Sequence, residues 1–395
     1  MTALRSRRRR STMVAGGAVV AAFVAAVGIG IVGGLTLYHS TEGADASDDR
    51  PELTFPDTPT GLLAAVDDDG RLASLAVFVV RPSGRGGSVV TVPVSADASA
   101  GNGRERLPVA ETVELSGVET VRREVEILLG LTIDADEVVD RERLAELLDA
   151  VGDIEVDLPV DVTDADGRVV AEAGEQTLDP EQAAAVLTAR DPGVPATDQY
   201  PAATAVWKGV AAAVGEGLDA GADGTADSID EVWAPATAGP LAGRSLAWAP
   251  VRRARNPRHV DVAGLDRAEL ALVFAQIAPG KVAAPNPALT FRVESPFPAD
   301  SLDGVTDDEL VYRVISALLF VRANVLSVDT TPGEVPATTT IEVADESLLA
   351  GVEDSDVFLG DVDVSVAEKR IVGVDAVVRL GTSYLDFVAA EDGDE

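Results

Sequence analysis

The sequence predicts an α/β fold: a mixed sheet with flanking helices, after one N-terminal transmembrane helix and before a small C-terminal α+β domain. Three observations predict it. Residues 13–37 form an unbroken run of apolar and small side chains. Residues 121–190 alternate between helical and strand periodicity. The last hundred residues combine one amphipathic helical pattern with several strand-like runs, which is typical of a compact α+β unit.

The apolar run follows five arginines between positions 5 and 10. About 25 residues at 1.5 Å each span a hydrocarbon core of roughly 30 Å, and the arginines should stay cytoplasmic. A cleaved signal peptide is the alternative, but it has a shorter apolar region and a small-x-small cleavage site, which residues 35–39 do not resemble. We therefore expect a basic cytoplasmic tail over 1–12, a transmembrane helix over 13–38 and an acidic tether over 39–59.

The composition limits the partners and the chemistry. Acidic residues outnumber basic ones 67 to 31, for a net charge of −36, and −36 less the five arginine charges leaves −41 on the rest. A surface this negative repels the phosphate backbone, so we expect no nucleic-acid partner. The absence of cysteine excludes disulfides and thiol nucleophiles, and two histidines make neither a metal pair nor a plausible triad.

The segment 121–190 is the most informative part of the chain. Its pattern predicts a helix that ends at Gly130, a second helix capped by Asp140, and an alternating strand from Ile154 to Val162. Asp179 then caps a third helix, with proline and glutamine in the positions that complete a capping box. These elements predict the helix–strand–helix centre of the first domain.

Composition changes set the expected domain borders. A stretch rich in glycine, alanine and aspartate follows Gly215, and prolines punctuate residues 279–287. Such stretches are typical of connections between domains. We therefore expect a first domain over 60–215, a linker and basic segment over 216–288, and a C-terminal domain over 289–388.

A cluster of arginines stands out in the expected linker: Arg252, Arg253, Arg255 and Arg258. It could bind a polyanion such as a phosphate-bearing glycan. The alternative is that these arginines neutralise neighbouring carboxylates in a very acidic protein.

Three sequence motifs, taken in order, resemble motifs of the LytR-CpsA-Psr family of bacterial cell-envelope proteins. They are VEILLGL, VVDRERLAELLDAVGDIEVDLP and LDPEQAAAVLTAR, and the likeness extends over roughly residues 60–215. The later word VVRLGTSYL resembles the end of the C-terminal domain often joined to this family. The resemblance implies the transfer of glycopolymers from a polyprenyl-pyrophosphate carrier to peptidoglycan, with Mg²⁺.

Only some of the charged residues in the family's motifs are present in this chain. Transfer from a pyrophosphate needs arginine clamps and a carboxylate for the metal, because the electrophile and leaving group are both negative. The resemblance assigns substrate binding to Arg71, Arg190 and Asp198, which are kept. The positions that the family fills with charged side chains but this chain does not are Ala73, Val94, Ser95, Thr188, Pro201 and Thr204.

Two functions follow as hypotheses. The first is a membrane-anchored extracytoplasmic protein of cell-wall assembly that is catalytically degenerate, needs no cofactor, and binds a lipid-linked glycan, peptidoglycan or a protein partner. The alternative is an active phosphotransferase with Mg²⁺ that has rebuilt its phosphate clamp from the arginine cluster. The two differ in whether these arginines converge with Arg71 and Arg190 in one cleft.

The first prediction concerns topology. We expect the bulk of the chain after Ser40 to lie outside the cytoplasm, because the arginine cluster precedes a spanning run. Protease added to intact spheroplasts should therefore digest the protein, while a cytoplasmic marker stays intact. Full protection from the protease, or a mature N-terminus near residue 40, would contradict the prediction.

Overall fold

The computed structural model describes residues 52–98, 106–218, 227–251, 256, 259–298, 302 and 305–393. The predicted transmembrane helix over 13–38 lies outside these residues. Among the residues described, no helix is both long and apolar enough to cross a bilayer.

The described residues form ten α-helices and eighteen strands, in an order that mixes both types. The helices are α1 (Val109–Ser116), α2 (Val121–Leu129), α3 (Arg141–Asp149), α4 (Pro180–Thr188), α5 (Ala196–Val214), α6 (Ile229–Thr237), α7 (Arg267–Ile277), α8 (Asp307–Phe320), α9 (Asp356–Leu359) and α10 (Thr382–Gly393). The strands are β1 (Glu52–Leu53), β2 (Thr60–Val66), β3 (Leu72–Val80), β4 (Gly87–Val92), β5 (Ala135–Val139), β6 (Ile154–Leu158), β7 (Val162–Thr163), β8 (Val169–Ala171), β9 (Gly174–Leu178), β10 (Leu241–Ser245), β11 (Trp248–Pro250), β12 (Ala263–Leu265), β13 (Thr290–Glu294), β14 (Asn324–Asp329), β15 (Thr339–Val343), β16 (Val362–Val366), β17 (Arg370–Ile371) and β18 (Ala376–Arg379).

The first sheet has five strands in the order β10-β4-β3-β2-β5. The three central strands pair antiparallel, whereas β10 and β5 add parallel strands at the two edges. The predicted mixed sheet is confirmed. Its central strand, β3, is buried along almost its whole length, as expected for a continuous apolar run that is covered on both faces.

Each face of this sheet carries its own apolar core. On one face, Phe78 packs edge-to-face against Trp207 and Trp233, with ring centroids 5.4 and 5.1 Å away. Helices α3 to α6 cover this face. On the other face, the side chains of Leu75 and Val77 pack under α1, α2 and α7. The alternation of β3 side chains therefore produces a helix–sheet–helix sandwich.

The second sheet lies in the C-terminal part, in the order β14-β13-β18-β15-β16. It is also mixed, with parallel pairs on both sides of one antiparallel pair. Helix α8 supplies its apolar stripe to the core, and the Thr306 side chain accepts a hydrogen bond from the backbone N–H of Glu309 at its start. The C-terminal part is therefore an α+β arrangement, and its likeness to the family's C-terminal domain stays a prediction.

The structure corrects the expectation that 216–288 is a linker. Within it, β10 pairs with β4 and so completes the first sheet, since the exposed edge of β4 needs hydrogen-bond partners. Helix α7 buries Phe274 in the first sheet's core and Leu272 in the second sheet's core. The proline-rich stretch also docks, because Lys281 lies 2.7 Å from Asp134.

Three expected strands are shorter than predicted. The alternating run from Ile154 is a strand only to Leu158, because Pro159 has no N–H to continue the pairing. The final strand ends at Arg379, and the residues after Gly381 begin α10. Likewise, residues 356–359 form the short helix α9 before β16 begins. Periodicity alone did not separate strand from helix in these short apolar runs.

The second prediction concerns the aromatic cluster. Phe78→Ala should lower the free energy of unfolding by about 3 to 5 kcal/mol, because a fully buried ring leaves a cavity between two tryptophans. Phe320→Ala is the matched control, since that ring is 89% exposed and its loss should change stability by about 0.5 kcal/mol at most. Chemical denaturation followed by circular dichroism measures both; equal losses would contradict the packing described.

Candidate functional site

A cavity of about 700 Å³ opens at one end of the first sheet. We call it the inner cavity. Leu75 of β3 pairs with Val92 of β4, so the start of β3 and the end of β4 meet at this end of the sheet. The remaining walls come from α1, the β6–β7 connection, the end of α4 and the start of α5. Its size falls in the range of small-molecule sites.

The walls of the inner cavity are mainly apolar. Leu72, Val92 and Leu187 are buried and line its depth. Apolar side chains also reach its rim, where Leu115 of α1 is 71% exposed and Val194 stands at the opposite loop. An apolar ligand segment could therefore be buried inside while the mouth remains open to solvent.

The charged side chains around the cavity are mostly negative. One guanidinium lines it, that of Arg190. The carboxylates that line it are Glu111, Glu114, Asp161, Asp191, Asp198 and Asp261. This excess raises the free energy of an anion bound at the mouth, so a phosphate there would depend on the charge of Arg190.

Arg190 lies two residues beyond the end of α4. Helix α4 ends at Thr188, and Ala189 has an extended backbone that directs the chain away from the helix axis. The Arg190 side chain is half-buried and lines the cavity. In the described part of the chain it forms no ion pair or hydrogen bond, so its charge is free to meet a ligand.

The other two kept residues take different places. Asp198 lies in the first turn of α5 and lines the inner cavity together with Arg190. Arg71 instead lies beside the cavity: its guanidinium is 3.1 Å from Asp69 and 3.8 Å from Glu114, a cavity residue. Thus Arg190 and Asp198 share one site, while the charge of Arg71 is already engaged by two carboxylates.

Two of the positions that lack the family's charges line the inner cavity, and two more are buried residues. Ala73 and Val94 line the inner cavity. Ser95 and Thr188 are buried, and the Thr188 hydroxyl donates to the Ala184 carbonyl oxygen at 2.8 Å. Small and apolar side chains therefore occupy these four positions, and their part in a binding site stays a prediction.

Two of the cavity carboxylates hold the local backbone in place. Asp261 accepts from the N–H and hydroxyl of Thr197, which gives α5 the N-terminal cap that Pro195 cannot provide. Asp191 accepts a hydrogen bond of 2.6 Å from the Thr163 hydroxyl, and this bond holds the pKa of the Asp191 carboxyl below its usual value. Sequence reasoning missed Asp261, because it lies in the segment expected to be a linker.

Tyr200 forms the wall between the inner cavity and a second opening. Its hydroxyl donates to the Thr91 carbonyl oxygen at 3.0 Å and accepts from the Leu246 N–H at 3.0 Å. Burial raises the pKa of Tyr200 to about 12. The side chain thus connects β4, α5 and the residues after β10, a role that no pattern in the sequence indicates.

The second opening is an outward-facing groove on another face of α5, which we call the outer groove. It is lined by β6, by α5 and by residues 245–248. Pro201 and Thr204, two of the positions that lack the family's arginines, line this groove rather than the inner cavity.

The predicted polyanion-binding residues Arg252, Arg253, Arg255 and Arg258 lie outside the described residues. Nearby, Arg244 lies on β10 and lines neither opening. Among the residues described, no group of three or more histidine, cysteine or acidic side chains could hold a metal ion. The convergence of the arginine cluster with Arg190 therefore stays a prediction.

Comparison with known proteins identifies the family of the central segment. The model of the LytR_cpsA_psr family matches residues 98–193. The resemblance carried by the three sequence words is thus confirmed for these residues. No curated protein matches the chain.

Several solved structures are similar to part of this chain. The chain is similar to B. subtilis TagV, with 15% identity over 55% of this chain and 94% of the other, and a TM-score of 0.39. It is similar to a LytR-Csp2A-Psr enzyme from Actinomyces oris, with 19% identity over 57% and 96%, and a TM-score of 0.38. It is also similar to B. subtilis TagT, with 18% identity over 55% and 88%, and a TM-score of 0.37.

The third prediction uses the buried tyrosine. The folded pKa of Tyr200 is raised, so its contribution to stability is complete below pH 10 and is lost between about pH 10 and 12. At roughly 1.4 kcal/mol per pKa unit, this loss is on the order of 2 to 3 kcal/mol. The stability advantage of the wild type over Tyr200→Phe should therefore shrink by this amount as pH rises from 9 to 12. Denaturant titrations across this range test it; a constant difference would contradict the assignment.

Proposed function

We propose that this chain is a membrane-anchored, extracytoplasmic protein of cell-wall glycopolymer assembly that binds a lipid-linked glycan in the inner cavity without transferring it. The apolar walls would bury the hydrocarbon part of the ligand. Arg190 would face the phosphate at the mouth, because it is the one guanidinium that lines the cavity in the described residues. The coarser part, assembly of cell-wall glycopolymers, rests on the family of residues 98–193.

The observation that carries the proposal is the charge of the inner cavity. Six carboxylates and one guanidinium line it, and Ala73 and Val94 stand where the family places charged side chains. Removing one group that stabilises transition-state charge typically costs on the order of 10² to 10³ in rate. Such losses are not additive, but several together leave little stabilisation for a leaving pyrophosphate.

The residues present do not fit the Mg²⁺ that the resemblance implies. Ala73 offers a methyl group in place of the expected aspartate ligand. Asp191 and Asp261, the cavity carboxylates with the clearest hydrogen bonds, already accept from neighbouring hydroxyl and N–H groups. Magnesium prefers octahedral oxygen ligands that include free carboxylates. We therefore propose no cofactor for the binding function.

An active phosphotransferase remains the second candidate, favoured by one feature. Arg190 and Asp198 share the cavity, so a cation and a carboxylate are both available at its mouth. Such an enzyme would still need further positive charge from elsewhere, and the arginine cluster at 252–258 is the source that the sequence analysis proposes.

The fourth prediction tests binding and transfer separately. Full-length protein in detergent should bind a polyprenyl pyrophosphate, and Arg190→Ala should weaken binding about tenfold by removing a half-buried cation. Arg168→Ala is the matched control, because Arg168 is a solvent-exposed arginine that does not line the cavity. Equal affinity of the wild type and Arg190→Ala, with both folded, would contradict the role of Arg190.

The same preparation then receives lipid-linked glycan, a peptidoglycan acceptor and Mg²⁺. We expect turnover at least about 10² below that of a relative with all of the family's arginines. Comparable turnover that Arg71→Ala or Arg190→Ala abolishes would overturn the non-catalytic proposal and establish the second candidate.

A further inference from the structure

The outer groove has a volume of about 770 Å³ and opens widely to solvent. Its floor is the packing of α5 on β6. This packing is close because Gly209 of α5 has no side chain: a Cβ there would lie 2.7 Å from Val156 Cγ1 and 2.8 Å from the Glu155 carbonyl oxygen. A shallow groove on rigid elements suits a ligand that remains partly hydrated.

One wall of the outer groove carries an accessible tryptophan. Trp207 and Trp233 are buried with Phe78, whereas Trp248 of β11 is half-buried and lines the groove. A tryptophan that is partly open to solvent presents a flat apolar surface together with an N–H donor. This combination fits the faces of pyranose rings, which pair an apolar C–H surface with hydroxyl groups at the edge.

Charged groups of both signs line the groove without pairing. Glu155 and Asp157 are exposed and share one face of β6, and Lys208 is exposed on α5. In the described part of the chain, none of these three side chains forms an ion pair or a side-chain hydrogen bond. Carboxylates accept hydrogen bonds and an ammonium donates them, so together they match the hydroxyls of a sugar.

A buried hydroxyl adds a further polar group. The Thr204 side chain lines the groove, and its buried hydroxyl lies against Tyr200. The small net negative charge of Glu155, Asp157 and Lys208 disfavours a polyanion.

We propose that the outer groove binds a neutral oligosaccharide. In this arrangement Trp248 contacts the face of a sugar ring, while Glu155, Asp157 and Lys208 hydrogen-bond its hydroxyl and amide groups. The proposal does not depend on the ligand of the inner cavity, since the two openings share only the Tyr200 side chain.

The experiment is a calorimetric and tryptophan-fluorescence titration of the full-length protein in detergent with a β-1,4-linked N-acetylglucosamine tetramer. We expect saturable binding that Trp248→Ala weakens about tenfold, the effect of losing one aromatic contact of roughly 1.4 kcal/mol. Trp248→Phe should retain part of the affinity. Asp157→Asn should weaken binding, whereas Asp153→Asn should not, because Asp153 is an exposed carboxylate just outside the groove.

Two results would overturn the proposal. One is the absence of saturable binding by the folded wild type. The other is equal affinity of the wild type, Trp248→Phe and Asp157→Asn, a comparison that stands even if Trp248→Ala does not fold. Binding of a polyprenyl pyrophosphate, measured in parallel, reports on the inner cavity, so failure of one site is distinguishable from failure of the other.

Discussion

Burial of the central strand on both faces is the constraint on which the rest of the first sheet depends. Strand β3 carries apolar side chains at almost every position, so a single helical layer would leave half of them in water. Phe78 and Leu75 point to opposite faces, and each face needs its own set of helices. The inner cavity forms where this sandwich opens, at the start of β3, where Ala73 is only half-buried.

The same constraint explains why residues 216–288 are structured. The helix-covered faces and the free edge of β4 need partners that residues 60–215 alone do not supply. Strand β10 provides the edge pairing, and α7 provides Phe274 to one core and Leu272 to another. Composition suggested a linker because alanine, glycine and proline are frequent there. Those residues allow close packing as readily as they allow flexibility: Gly243 of β10, for example, packs directly against the backbone of Lys208 in α5.

Strong periodicity and capping patterns predicted the elements that the structure contains over residues 121–190. Asp140 and Asp179 cap α3 and α4 as expected, because a short polar side chain just before a helix can accept a hydrogen bond from a free backbone N–H of its first turn. Short apolar runs were less informative: residues 356–359 and 382–393 are helical because tertiary packing overrides weak local preference. Sequence patterns could not predict the roles of Tyr200 and Asp261 in the site, because both residues act through hydrogen bonds to residues that are distant in sequence.

Two of the uncharged positions, Ser95 and Thr188, are unfavourable places for a single charged side chain. Both residues are buried, and an isolated buried charge is costly unless it is paired. A charged side chain at either position would need a group of opposite charge beside it to be stable. Uncharged side chains therefore stabilise the fold better at these positions. On the function proposed above, the apolar walls of the inner cavity would hold the lipid, while Arg190 alone among the described lining residues would offer positive charge to its phosphate.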